Sequence, residues 1–388
     1  MRGVGLLRTR GASLGACVAL LAAVLSGCSS TTPTSSAVTV VGSTLDVYAS
    51  QPAGPVGSVA GDVVDAEQLA SKQSGGKAGR YQVKLISRHG HEISANARAA
   101  VQDKKAIAYL GEIGPGTSGV SVQITNQVGL LEVSPTDTAI YLSHATAAVS
   151  GAPGNYFPAS GTFHQTFARL APTTAQEAGA LVAAMQSRHL TKLYIADDGS
   201  AYGASIALEV RQAAQAKGLT LASGVTDADA VFYGGLPGSR AISALNQAAS
   251  ARPGADLFAP SALYDDSFVA RLSAAAQSHL YVTSPGFTNA TLTPAGKQFV
   301  SAFRTAYGHA PQPQAIFGYE AMRSLLAVLA GEGINANSRA LAVARFRTLH
   351  SDANSVLGTY AINAGDTSIA PFVIAHPAGG RLVPGSQP

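Results

Sequence analysis

The chain has 388 residues, 46% of them hydrophobic and only 12% charged, with a formal net charge of +4. Beyond Lys104-Lys105 it has no cluster of Lys or Arg, which argues against a nucleic-acid partner. Its two cysteines, Cys17 and Cys28, both lie near the N-terminus, so the rest of the chain has neither a disulfide nor a thiolate metal site and must rely on its core.

Residues 1–28 read as an export signal. Arg2, Arg8 and Arg10 form a basic start, and the apolar run Leu14 to Leu25 is about a dozen residues, too short for a membrane span of about 20. It ends in Leu25-Ser26-Gly27-Cys28, which is similar to a bacterial lipobox, in which Cys28 becomes the lipid-modified first residue. Loss of the three arginines lowers the net charge to +1. Gly11-Ala-Ser-Leu-Gly15 matches a hydrolase elbow but falls inside the signal, so it carries no catalytic reading. Residues 29–42 are a Ser/Thr/Pro-rich flexible tether. About 350 residues follow, enough for two lobes of ordinary size.

The run Thr44 to Ser50 predicts a first strand and Ser58 to Ser71 a helix. A glycine-rich turn precedes a strand at Tyr81 to Ser87, and residues 93–105 read as helical. His89, His91 and Glu92 sit after that strand. Sequence places no third ligand near them, so they read as a polar loop and not as a metal site. Ala106 to Gly111 is a short apolar run with aromatic and β-branched members, hence a buried strand. A glycine-rich turn follows, and Thr117 and Ser118 can cap a helix running to Gln127. Gly129 to Val133 is a second strand, with the polar loop Ser134-Pro-Thr-Asp-Thr138 after it. Both loops therefore lie at carboxyl ends of adjacent parallel strands, where open α/β sheets bind ligands.

Gly114-Pro-Gly-Thr-Ser-Gly119 also fits G-x-G-x-x-G with Glu132 downstream, a dinucleotide fingerprint. Two features oppose it. Pro115 removes an N–H from the turn, and Glu132 is too near for a ribose acid, which usually lies about 20 residues on. NAD(P) is also scarce outside the cell.

Residues 145–170 read as a crossover rich in Gly, Pro and aromatics, after which the pattern restarts. Thr173 to Arg188 is a helix with Gln176 and Glu177 in its first turn. Strands at Lys192 to Ala196, Ala230 to Tyr233, Leu257 to Ala259 and Leu280 to Thr283 alternate with helices. Asp197-Asp-Gly-Ser-Ala-Tyr-Gly203 is the loop after the first of these. Further helices cover Ala295 to Tyr307, Ala315 to Leu329 and Ser338 to Leu349. Strands at Ser355 to Ile362 and Pro371 to His376 flank the turn Asn363-Ala-Gly-Asp366.

Glu132-Val-Ser-Pro-Thr-Asp-Thr138, Tyr194-Ile-Ala-Asp-Asp-Gly-Ser-Ala-Tyr-Gly203, Val231-Phe-Tyr-Gly-Gly235, Phe303-Arg-Thr-Ala-Tyr-Gly308 with Pro311, Phe317-Gly-Tyr-Glu-Ala-Met322 and Gly358-Thr-Tyr-Ala-Ile-Asn-Ala-Gly-Asp366 follow one another in an ordered series. Together they resemble the type 1 periplasmic solute-binding proteins of ABC transporters, in the branched-chain amino-acid-binding branch. The resemblance implies an α/β fold of two lobes, each a mainly parallel doubly wound sheet, joined by three crossovers. Lobe 1 would take residues 43–170 and 284–356, and lobe 2 residues 171–283 and 357–388. It implies hinge closure around a small solute, delivery to a permease, a monomer, and no cofactor, metal or catalytic residue.

Carried over by position, the resemblance places the ligand carboxylate on Pro115, Gly116, Thr117 and Ser118. The second loop contributes Ser134, Thr136 and Thr138, and Tyr202 lies over the solute. It also exposes departures. The acid that holds an ammonium is replaced by Ser261, and an aromatic by Leu236. Glu112, Asp197 and Asp265 are the candidates to stand in for the lost acid. A small carboxylate or neutral polar solute is thus expected at least as readily as leucine, isoleucine or valine. The competing classes are a sensory ectodomain, which the same fold serves, and an NAD(P)-dependent enzyme.

Overall fold

The computed structural model describes residues 38–52 and 57–385; the export signal, Cys28 and most of the tether lie outside them. The strands are β1 (Thr44–Pro52), β2 (Lys77–Ala78), β3 (Tyr81–His91), β4 (Ala106–Leu110), β5 (Leu131–Ser134) and β6 (Phe167–Arg169), then β7 (Lys192–Asp197), β8 (Thr220–Leu221), β9 (Ala230–Gly234), β10 (Asp256–Ala259) and β11 (Leu280–Pro285), and finally β12 (Ile362–Asn363), β13 (Asp366–Thr367), β14 (Phe372–Ala378) and β15 (Arg381–Pro384). They form two main sheets, ordered β2-β3-β1-β4-β5-β6 and β15-β14-β11-β10-β9-β7-β8.

Every pairing among β3, β1, β4, β5 and β6 is parallel, as is every pairing among β11, β10, β9, β7 and β8. The composition explains this. All five residues of β4, Ala-Ile-Ala-Tyr-Leu, are buried, as are all five of β9. Strands apolar on both faces need helices on both faces, and βαβ crossovers supply them. The chain passes between the lobes three times: after β6, after β11 and before β14. The helices Pro294–Tyr307 and Ala315–Gly331 return to the first lobe, where Phe299, Phe303, Phe317 and Leu325 join its core.

Several boundaries differ from the sequence reading. β3 runs on to His91, so Arg88-His-Gly-His is strand and not loop, and His89 bonds Gln51. The helix begun at Ser118 ends at Thr125 and tightens into a 3-10 turn. No strand covers 355–361. The turn at 363–366 is a hairpin of two-residue strands, with Ala364 and Gly365 both at positive φ, 52° and 103°. That hairpin packs on the first lobe, where Arg169 N donates to Gly365 O at 2.8 Å. The second sheet is rejoined at β14, some fifteen residues later than the expected return at 357, through antiparallel pairing with β11. No helix among the described residues is long and apolar enough to cross a membrane.

Candidate functional site

In both sheets strand order reverses next to a central strand, between β1 and β4 and between β7 and β9, and the loops at the carboxyl ends of the strands converge there. Between them lies a cavity of about 300 Å³. The loop after β4 gives it Ile113, Gly114, Pro115 and Thr117; the loop after β9 gives Leu236 and Pro237. The segment after β10 gives Ser261, Ala262, Tyr264 and Asp265, and Gln314 completes the wall. A hollow of about 600 Å³ adjoins it past Tyr264, lined by Phe287, Pro311 and Ile316 among others, and one of about 630 Å³ shares no residue with it. The lobes touch around the cavity. Tyr202 of the second lobe packs in one apolar cluster with Val122, Ala139 and Tyr141 of the first.

The first-lobe loop is built around Asp137. Its Oδ1 accepts from Gly116 N at 2.7 Å and Ala139 N at 2.9 Å, and its Oδ2 accepts from Ser118 N at 2.8 Å. Gly114 N donates to Thr136 Oγ1 at 2.9 Å. Thr136 N and Asp137 N both donate to Ser134 Oγ, which itself donates to Glu112 O. Gly116 has φ +79°, and a Cβ there would stand 2.6 Å from the Tyr141 hydroxyl, so a side chain is excluded twice over. Arg169, wholly buried, fixes the loop from behind by donating to Asp137 O (3.0 Å), Ala139 O (2.8 Å) and Asp366 Oδ1 (2.8 Å).

This corrects the expected anion cradle. The helix Ser118–Thr125 is not capped by Thr117 or Ser118; Thr117 has αR dihedrals and no side-chain cap, and its hydroxyl donates to Gly114 O. A carboxylate of the chain itself already occupies the amides of Gly116 and Ser118, and Pro115 has none. Ser134 and Thr136 hold the loop together instead of facing the cavity, and Glu132 is buried under the helix, accepting from Ser121 and Thr125 at 2.6 Å each. The G-x-G-x-x-G turn therefore has no open phosphate nest, and its downstream acid is not at the surface.

The second-lobe side has a matching carboxylate. Glu177, fully buried, accepts from Ser261 N and Thr283 Oγ1 at 2.6 Å each and from Ser261 Oγ at 3.1 Å. Burial pushes its pKa up, against the pull of those three donors. Beside it, Thr138 Oγ1 and the Tyr202 hydroxyl are buried without a well-formed hydrogen bond, although Thr138 lies close to Glu177, and Tyr202 close to Thr138 and Ser261. So an acid does stand next to Ser261, contributed by the helix Thr174–Ser187.

Residues 225–371 match the model of a family described as periplasmic binding protein. A leucine-binding protein from Thermotoga maritima superposes on the chain with a TM-score of 0.70 at 16% identity, covering 88% of this chain and 98% of that one. An ABC transporter substrate-binding protein from Desulfitobacterium hafniense, in complex with Leu, gives 0.68 at 19%, covering 88% and 99%. An ABC transporter solute-binding protein from R. palustris, in complex with benzoate, gives 0.67 at 19%, covering 88% and 95%. This chain has the fold of the type 1 periplasmic binding proteins. No curated protein matches it.

Within that fold the three acids expected to replace the lost one have other work. Glu112 is buried inside the first lobe, accepting from Ser50 Oγ at 2.9 Å and from the Tyr109 hydroxyl. Burial raises its pKa to about 7. Asp197 accepts from Gly199 N in an exposed turn. Asp265 lines the cavity but caps a short helix through Phe268 N at 2.9 Å. Tyr202 is buried in the interlobe cluster, not in the cavity wall, behind a loop that Asp198 organises by accepting from Ser200 N and Leu236 N at 2.9 and 2.8 Å. Gly203 leaves the room this carboxylate needs. Among the described residues no group of three His, Cys, Asp or Glu is placed to hold a metal ion.

Proposed function

We propose that the chain is an extracytoplasmic solute-binding protein, tethered to the cell membrane through Cys28, that closes its lobes on a small solute and hands it to an ABC permease. The observation that carries this reading is the cavity itself. It is walled by loops from the strand ends of both sheets, so any occupant bonds the lobes to each other, and nothing in it is arranged as a nucleophile, base and orienting acid. The solved relatives that bind leucine or benzoate support the reading by their fold. Binding between lobes predicts hinge closure.

The test is mass spectrometry of solute retained by the purified protein, followed by small-angle scattering with and without it. A smaller radius of gyration at saturation is expected, and an unchanged profile overturns hinge closure. For the anchor, Cys28→Ala is expected to release the protein from membranes or leave it unprocessed; a variant that fractionates and migrates like the parent overturns the lipid attachment.

A further inference from the structure

We infer that the cavity takes a small, mainly apolar solute that carries hydrogen-bond donors, an amine or a primary amide, and no carboxylate. The inference rests on the solute-binding reading and narrows its ligand. It follows from where the hydrogens of the cavity wall already point.

Take the polar lining groups in turn. The Thr117 hydroxyl donates to Gly114 O at 2.5 Å. Ser261 donates both its N–H and its O–H to Glu177. The Gln314 amide nitrogen donates to Ser284 Oγ at 3.2 Å. Asp265 is an acceptor by nature, with Phe268 N and the Ser267 hydroxyl both on Oδ1 and none on Oδ2. What Thr117, Ser261 and Asp265 have left to offer a solute is lone pairs, and Gln314 keeps its oxygen and one of its two N–H groups. The Tyr264 hydroxyl is the remaining side-chain O–H of the wall, so two neutral side-chain donors, on Tyr264 and Gln314, stand against a larger set of lone pairs and carry no positive charge for a carboxylate. In the first-lobe turn that lines the cavity, Gly114 N donates to Thr136 Oγ1, Thr117 N donates to Gly114 O at 3.4 Å, and Pro115 has no N–H.

Charge points the same way. The wall contains no Lys, Arg or His, whereas Asp265 stands in it, Glu177 lies directly behind Ser261, and Asp137 holds Gly116 and Ser118, the chain neighbours of the wall residue Thr117. An anionic solute would be desolvated among carboxylates with no counter-charge, which is unfavourable in a closing cleft. A donor-bearing neutral group or an ammonium meets acceptors instead. The rest of the wall, including Ile93, Ile113, Leu236 and Pro237, is apolar, and the volume of about 300 Å³ is at the small end for ligand pockets.

Calorimetry on the mature protein with three matched probes, benzoate, benzamide and benzylamine, and with leucine, tests this. Benzamide or benzylamine is expected to bind at least about tenfold more tightly than benzoate or leucine, a ratio worth about 1.4 kcal/mol. If benzoate or leucine binds wild-type protein as tightly as the amide or amine, an anion is being held, for instance at the start of the helix Ile93–Gln102. The ligand class then falls while solute binding stands. If no probe binds and the protein retains no solute from its host, solute binding itself falls, and the ligand class with it.

Discussion

The two walls of the cleft each hide a carboxylate with three donors on it, and the donors differ in kind. Asp137 in the first lobe is held by three backbone N–H groups, Gly116, Ser118 and Ala139. Glu177 in the second is held by one N–H and two hydroxyls, those of Ser261 and Thr283. A backbone N–H points where the chain points and cannot accept. A hydroxyl rotates and can exchange donor for acceptor. The first wall is therefore fixed around its anion, whereas the second can re-pair if its acid changes. One hydroxyl from each wall, Thr138 of the first and Tyr202 of the second, lies buried beside the second acid without a well-formed hydrogen bond.

Near-isosteric substitutions break or sharpen this contrast, and the largest effect is expected at Asp137. In Asp137→Asn one amide oxygen can serve Gly116 and Ala139, but the NH2 then faces Ser118 N–H, donor against donor. A buried donor left unsatisfied costs about 1–3 kcal/mol, so a loss of about 2 kcal/mol is expected in urea unfolding. In Glu177→Gln the NH2 faces the Ser261 hydroxyl, which can turn and accept, and a desolvated charge is removed. A change within about 1 kcal/mol is expected. Equal losses in the two variants would show that rotation of the hydroxyls does not protect the second wall, and the contrast would fail.

A smaller effect, visible through pH, tests what lies beneath the first wall. Glu112 is buried under the Asp137 loop, and its surroundings include Tyr109, Glu67, Glu132 and Asp137. Its folded-state pKa of about 7 exceeds the ordinary glutamate value of 4.5 because burial disfavours the charge. The folded state therefore binds more protons than the unfolded state between these values. Stability is highest below the lower value and falls as pH rises towards and through about 7. Glu112→Gln, uncharged throughout, is expected to remove that part of the slope, so that the variant gains on the parent at pH 8 relative to pH 5. Parallel stability profiles from pH 5 to 8 would show that Glu112 is not held in the buried state described.

Much of this architecture can be read from the residues. Apolar runs such as Ala106 to Leu110 and Val231 to Tyr233 mark buried parallel strands, and the loops after them mark the cleft. The groups that decide the chemistry are less visible, because their partners are far along the chain. Glu177 looks like an ordinary first-turn acid of a helix, suited to the helix dipole. Its burial becomes apparent only when β10 and β11 are placed beside that helix, bringing in residues 84 and 106 positions away. Asp137 looks like one more polar residue of a loop; its partners in the glycine-rich turn, 19 and 21 residues earlier, depend on the β4–β5 register. Arg169 carries no signal of its role, since its acid, Asp366, is 197 residues on. The expectation of an open anion site failed for the same reason. The turn was legible, but the side chain that fills it was not.

The smallest expected effect is at Tyr202. Its hydroxyl is buried beside Glu177 and Ser261 with no partner, so the ring contributes packing while the oxygen contributes an unmet desolvation cost. Tyr202→Phe keeps the ring among Ile206, Phe232 and Tyr141 and removes only that oxygen. A hydroxyl bonded to protein would cost about 1 kcal/mol to lose, whereas removing an unbonded one is neutral or favourable. The expected result in solute-free protein is unchanged stability or a gain of a few tenths of a kcal/mol, measured by urea unfolding with unaltered slope. A loss of about 1 kcal/mol or more would mean that the hydroxyl is paired in solution, through Thr138, Ser261 or a buried water. The difference between the two sides of the cleft would then reduce to the mobility of the Ser261 and Thr283 hydroxyls alone.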